Sequence, residues 1–290
     1  MSKHPQWLVK RAPDPSVIIK MKELADRLHL HTICESAGCP NQGECFSNGT
    51  AAFLILGVVC TRNCTFCAVN KGVPSPLDPE EPDNIGQATK ELNLQHVVIT
   101  SVTRDDLPDG GAEHFSRTIE AVKSAKPNTS VEVLIPDFEG SIRALEVIIR
   151  ASPEIINHNL ETVPRLYSEV RPLADYHRSL RLLQTIKELN SKMLTKSGLM
   201  LGLGENSDEV VDVITDLHNV NCDLLTVGQY LQPSAQHHEV VRYVPPEEFR
   251  QHENTAKSMG FASVAAAPYV RSSFNAEETY NKAKQLKRGL

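Results

Sequence analysis

Three thiols at C-x3-C-x2-C spacing, Cys60, Cys64 and Cys67, follow directly on an apolar run from Ala51 to Val59. Six of the seven cysteines fall between positions 34 and 67, and only Cys222 lies beyond them. Three thiolates from one turn can each hold one iron of a [4Fe–4S] cube, leaving the fourth iron open to a small ligand. Zinc is the alternative, but it is usually built from paired hooks with four protein ligands, and the fourth is missing here. Cys34-x4-Cys39-x5-Cys45 offers a second set of three thiolates, enough for a second cube. Cys222 lies at the start of a predicted strand, the wrong end for a site, and is read as a core residue.

Elements able to position these thiols are visible in the hydropathy pattern. Strand-like runs cover 51–59, 96–102, 130–138, 154–160, 194–203 and 222–231. Helix-like segments lie near 83–94, 111–125, 140–151, 163–190 (interrupted by Pro172), 206–219 and 246–259. Nearly continuous apolar strands alternating with helices indicate a parallel sheet covered by helices. Six such units would curl into a partial (βα)6 TIM-like barrel, an open doubly wound sheet being the alternative. In both, the site belongs at the C-terminal ends of the strands, where the Cys60–Cys67 loop follows the first of them. Residues 1–15 read as an extended arm, Ser16 as the cap of a helix reaching Leu28, and 31–48 as irregular. An extended stretch at 261–274 precedes a charged helix near 276–288. The expected organisation is an N-terminal extension with the first cysteines (1–50), the barrel (51–260) and a C-terminal extension (261–290).

Composition narrows the function. A net charge of −6 is not the basic footprint of a nucleic-acid binder. No apolar run is long enough to span a membrane, and Met1 to Trp7 lacks a secretory h-region. A reducing, cytoplasmic compartment is expected, where clustered cysteines more often bind metal than pair.

The C-x3-C-x2-C spacing with Phe66 before its third cysteine resembles the signature of the radical S-adenosylmethionine (SAM) superfamily. Gly198 to Glu205 is similar to the glycine-rich stretch on that superfamily's fifth strand, which places Gly202 and Gly204 among the cofactor-binding candidates. The two cysteine triplets together with Arg271-Ser272-Ser273-Phe274 narrow the resemblance to the lipoyl synthase family. Thr103 to Ala112, Asn157 to Glu161, Thr195 to Gly198 and Gly228 to Ser234 also resemble it, so that the likeness runs over roughly 30–275. The resemblance implies a barrel of the radical SAM type with two [4Fe–4S] clusters. One would be held by Cys60, Cys64 and Cys67 and would bind SAM. The other, auxiliary cluster would be held by Cys34, Cys39, Cys45 and Ser273. It further implies Ser273 and Arg271 as catalytic residues, and Phe66, Asp105, Asp106, Asn159 and Glu161 near SAM.

The implied reaction inserts two sulfur atoms, at C6 and C8, into a protein-bound octanoyl chain, with the auxiliary cluster as sulfur donor. Implied partners are octanoylated lipoyl domains or the glycine-cleavage H protein, and a low-potential electron donor such as ferredoxin or flavodoxin; neither nucleic acid nor membrane is expected. Alternatives are another sulfur-inserting radical SAM enzyme or a non-catalytic iron–sulfur electron carrier. Outside these motifs, His158 is expected to pack rather than ligate, because alternation puts it opposite Asn157, Asn159 and Glu161. His237-His238 is read as a solvent-facing loop pair, and Lys196 as a surface charge or a substrate contact.

Overall fold

The computed structural model describes residues 5–9 and 15–287. Of the expected N-terminal arm, 1–4 and 10–14 lie outside the described residues, as do 288–290. Seven parallel strands form the body: β1 (Thr50–Ile55), β2 (His96–Ser101), β3 (Ser130–Leu134), β4 (Ile155–Asn157), β5 (Leu194–Leu201), β6 (Leu224–Gln229) and β7 (Ser263–Ala266). Every residue of β1, β4 and β6 is buried, because one face packs on helices and the other lines the lumen.

The strands lie side by side in chain order. A doubly wound sheet would reverse that order at a switch point. With one-handed crossovers, unbroken order instead curls the sheet into a barrel. Among the described residues the barrel stays partial: β7 ends one side, and a two-residue strand, His31–Thr32, pairs antiparallel with β1 on the other. The extended stretch after 261 thus contributes β7, one strand more than the six-unit expectation.

The crossover helices are Glu81–Glu91, Ala112–Ala125, Ile142–Arg150, Tyr176–Leu189, Ser207–Asn219 and Pro246–Met259. The long segment at 163–190 breaks as Pro172 requires, and the helix resumes at Tyr176 with the Asp175 side chain accepting from the Arg178 N–H. Asn206 and Glu209 form a reciprocal capping box before the fifth of these helices. An α-helix spans Pro15–Arg27, so Ser16 lies within the helix rather than before it. The stretch at 31–48 holds two short helices, Ile33–Ser36 and Gln42–Ser47, too brief to show apolar periodicity. The last helix, Ala276–Lys287, packs Ala283 and Tyr280 against Ile155, Leu194 and Leu224, the N-terminal ends of three strands. It thereby closes the lumen below and leaves the C-terminal mouth open.

Candidate active site

β1 delivers the chain to the Cys60–Cys67 loop through Leu56 (φ 68°) and Gly57 (φ 90°). A leucine in the left-handed region is strained and must be held there. The buried Glu81 carboxylate accepts from the Leu56 N–H at 2.9 Å, and Arg104 donates to the Leu56 carbonyl at 3.0 Å. The same Glu81 oxygen meets His114 Nε2 at 2.7 Å. Val59–Cys60 then pairs with Asn70–Lys71, and Thr65 donates to the Val170 carbonyl, so both ends and the middle of the loop are tied down. The N–H groups of Arg62 and Thr103 approach Cys60 Sγ at 3.4 and 3.3 Å.

Inside this loop Arg62 is buried and reaches two neighbouring strand ends. It grips Asp105 with two bonds of 2.8 and 2.9 Å and Asp137 with one of 2.6 Å. Burial alone would push the Asp137 carboxyl up, but Arg62 outweighs it and holds the group at about 2.

Of the second triplet, Cys34 and Cys45 ride on the two short helices and Cys39 on the turn between them. The Cys39 N–H donates to the Cys34 carbonyl at 2.9 Å, and Asn41 donates to the Tyr269 carbonyl at 2.7 Å, docking this segment on the C-terminal one. That C-terminal segment lies against β6 at Gly228, where an added Cβ would stand 2.0 Å from the Val270 carbonyl oxygen. Only glycine permits so close a backbone approach. Ser272 is fixed between two asparagines: Asn157 donates to its hydroxyl at 2.7 Å, and it donates to Asn159 Oδ1 at 3.1 Å. Ser273, its neighbour, lines the cavity described next.

One cavity of about 810 Å³ occupies the mouth, and all six clustered cysteines line it together with Phe66, Asn159, Glu161, Arg271 and Ser273. None of the six is in a disulfide. A hydrogen bond with Cys39 and then burial push the Cys34 thiol well up, and burial pushes Cys67 to about 11. Thiols so buried ionise readily only beside bound cations, which is the condition an iron centre supplies. Among the described residues no three His, Cys, Asp or Glu side chains converge on a single-ion position. The fit to clusters rests on two separate soft triplets opening on one cavity large enough to hold ligands between them.

Several expected site residues lie elsewhere. Asp105 and Asp106 do not line the cavity, because Arg62 takes up the first carboxylate and Arg104 the second. Gly202 and Gly204 do not line it either; Gly202 has φ 99°, and a Cβ there would lie 2.4 Å from the Arg242 carbonyl. Arg271 lines the cavity but donates to the Pro268 and Val270 carbonyls of its own turn. Lys196 is neither on the surface nor at the cavity: it is fully buried and ion-paired with Glu132 at 2.9 Å. His237 and His238 form a strap rather than a solvent-facing pair. His237 Nε2 meets the Cys67 carbonyl at 3.1 Å, and the His238 N–H donates to the Thr65 carbonyl.

Sequence reasoning missed Arg171. This buried guanidinium lines the cavity, bonds the Asn159 and Leu160 carbonyls at 3.0 Å each, and keeps its Nε–H without a partner. Its position just before Pro172 gives no periodic signal, so only the fold reveals it.

His158 packs as expected, Nδ1 on the Ile135 carbonyl and Nε2 on Ser179 at 2.9 and 3.0 Å. Burial, then the Arg171 charge, depress it from 6.5 to about 4. A depressed histidine favours the fold fully above its unfolded value, and that contribution disappears as pH falls toward the folded one. Urea titration of the metal-free chain should therefore show stability falling between about pH 6.5 and 4, by about 3 kcal/mol from this group. His158→Gln should flatten that slope; an unchanged slope would remove His158 from the acid response.

The amino-acid sequence matches the model of the radical SAM superfamily over residues 54–217. It is 53% identical over 273 residues to a lipoyl synthase of Caldanaerobacter subterraneus subsp. tengcongensis, covering 94% of this chain and 95% of that protein. It is 49% identical over 287 residues to a lipoyl synthase of Alkaliphilus metalliredigens, covering 99% of each. In fold it resembles Streptococcus suis SuiB bound to S-adenosylmethionine, with a TM-score of 0.59 and 11% identity over 87% of this chain and 60% of that one. Among the described residues no helix is long and apolar enough to cross a membrane.

Proposed function

The chain belongs to the lipoyl synthase family of the radical SAM superfamily, and from that premise we propose how its residues divide the work. It is a radical SAM sulfurtransferase that inserts sulfur at C6 and C8 of an octanoyl chain carried on a lipoyl domain, using SAM and two [4Fe–4S] clusters. When bound, these groups supply the radical that removes hydrogen and the sulfide that replaces it.

Cys60, Cys64 and Cys67 would hold the SAM-binding cluster, with the N–H groups of Arg62 and Thr103 bonding a ligand sulfur. Cys34, Cys39, Cys45 and Ser273 would hold the auxiliary cluster. Ser273 as the oxygen ligand is harder than the thiolates and the more easily released. The observation that carries this reading is that both triplets and Ser273 line one cavity, so a radical made at one site can act on a chain poised at the other. Asn159, Glu161 and Phe66 line the SAM side, and the free Nε–H of Arg171 suits a carboxylate such as that of SAM. Leu134, Ile135, Leu199, Met200 and Leu231 offer an apolar wall for an alkyl chain and exclude water from a carbon radical.

The chain works in the cytoplasm on octanoylated lipoyl domains or the glycine-cleavage H protein, and takes electrons from a ferredoxin or flavodoxin. Residues 1–50 and 261–290 serve as extensions that bring the auxiliary ligands to the barrel mouth, and 51–260 as the radical SAM barrel. Anaerobic reconstitution should load about eight irons per chain, two cubes in all. SAM and a strong reductant should then convert an octanoylated lipoyl-domain peptide to its dithiolated form while one cube is consumed. An unmodified peptide under these conditions would refute the assignment.

A further inference from the structure

A chain of buried polar groups crosses the barrel lumen and ends at 270–274, the C-terminal strap that carries Ser273. Lys196 on β5 donates to both oxygens of Glu132 on β3, at 2.9 and 3.1 Å, and both residues are fully buried. Asn157 at the end of β4 uses one amide hydrogen on Glu132, at 3.1 Å, and the other on the Ser272 hydroxyl, at 2.7 Å. Ser272 passes its own hydrogen to Asn159 Oδ1 at 3.1 Å, and the Asn159 amide donates to Glu161 at 3.0 Å. Lysine only donates and the carboxylate only accepts, so the Asn157 amide nitrogen faces Glu132 with one hydrogen and Ser272 with the other, while its Oδ1 is buried without a hydrogen-bond partner.

Nothing in the folding of β3 and β5 calls for such a pair. Apolar residues of similar volume would serve a lumen at least as well, since burying two charges costs several kcal/mol per ion before their attraction is counted. A buried charge network is justified where it imposes one arrangement on its neighbours. Among the described residues Glu132 also faces buried His96 at 3.8 Å, whose ring meets Tyr280 of the last helix, but toward the mouth the line reaches Ser272, next to Ser273 and to the turn that Gly228 admits. Past Ser272 it continues to Asn159 and Glu161 on the SAM side of the cavity.

We propose that Ser272 is a positioning residue that sets the register between the two halves of the cavity: the Lys196–Glu132 pair orients Asn157, Asn157 fixes Ser272, and Ser272 holds both the Ser273 strap and the Asn159–Glu161 pair. This rests on the division of labour proposed above. Ser272 touches no reacting atom in this scheme; it fixes the distance between the radical-generating side and the sulfur side.

Hydrogen exchange on the reconstituted full chain tests the assignment. Ser272→Ala loses two hydrogen bonds at a half-buried position, so the amides of 270–274 should exchange on the order of tenfold faster. Ser272→Thr, which restores the hydroxyl, should return them to the wild-type rate. In the same preparations 5′-deoxyadenosine formed per sulfur inserted should rise several-fold in the alanine variant and recover in the threonine one, with iron content unchanged. The paired variant Lys196→Met/Glu132→Leu leaves no lone buried charge and should loosen 270–274 in the same way. Wild-type exchange rates and wild-type coupling in Ser272→Ala overturn the proposal, and an inert 270–274 segment in the paired variant removes the ion pair from it. Failure of the wild type itself to thiolate the octanoyl peptide would instead refute the functional reading, and is seen before any variant is made.

Discussion

Ser273→Cys should keep its iron and its ability to cleave SAM, yet lose sulfur insertion by at least a hundredfold. The substitution changes the proposed ligand atom of the auxiliary cluster from oxygen to sulfur, in a position that lines the common cavity. Thiolate is the softer and better ligand for iron of this kind, so the variant should bind its auxiliary iron at least as well as the parent. The Cys60–Cys67 loop is tied to β1, to Thr103 and to Val170 and does not depend on Ser273, so 5′-deoxyadenosine should form at close to the parent rate. What the variant loses is the easily released ligand. Iron and sulfide analysis beside product mass spectrometry reads all three quantities at once. Sulfur insertion at the parent rate would show that the oxygen ligand has no chemical role.

Arg62→Met should lower stability by about 3–5 kcal/mol, the usual result of stranding a buried charge. Asp137 is 1% exposed and would keep only Arg178 as a cation partner, while Asp105 would lose its bidentate grip. For a chain of this size that loss corresponds to a fall in Tm of about 5–8 °C. The pH signature identifies the cause. Asp137 is held at about 2 against 3.8 ordinarily, so its contribution is complete above 3.8 and is lost only as pH falls toward 2. Removing Arg62 raises the folded value, and the acid limb of the stability profile should move to higher pH. Because Arg62 sits between Cys60 and Cys64, reconstituted iron should also fall. Arg62→Met/Asp137→Asn removes both charges and should recover part of the stability. Equal stability of the single variant and the parent would show that the clamp contributes nothing.

The cysteine spacings, the alternation of strands and helices and the break at Pro172 are local properties, and local properties are written in the residue order. Periodicity depends on neighbours one to four positions away, and a metal-binding turn on a handful of residues. The strand windows therefore fell on β1 to β6, and the first cysteine loop at the C-terminal end of β1. The choice of a barrel over a doubly wound sheet came only with the strand order, since both share the same periodicity. β7 lies inside the stretch read as extended at 261–274, but its pairing with β6 is a long-range contact that no local pattern announces.

The polar framework of the site is where residue types say least. Asp105 and Asp106 follow the second strand, and the structure pairs them with Arg62 and Arg104. Lysine is ordinarily a surface residue, but Lys196 is buried by a partner 64 positions away. Arg171 and the Asn157–Ser272 contact, which spans 115 positions, carry no spacing that could announce them. The amino-acid sequence by itself determined which cysteine triplets the chain carries and the family to which it belongs. Tertiary structure alone decided that both triplets and Ser273 share one cavity, because convergence across the chain is set by packing and charge pairing between segments that have no local relation.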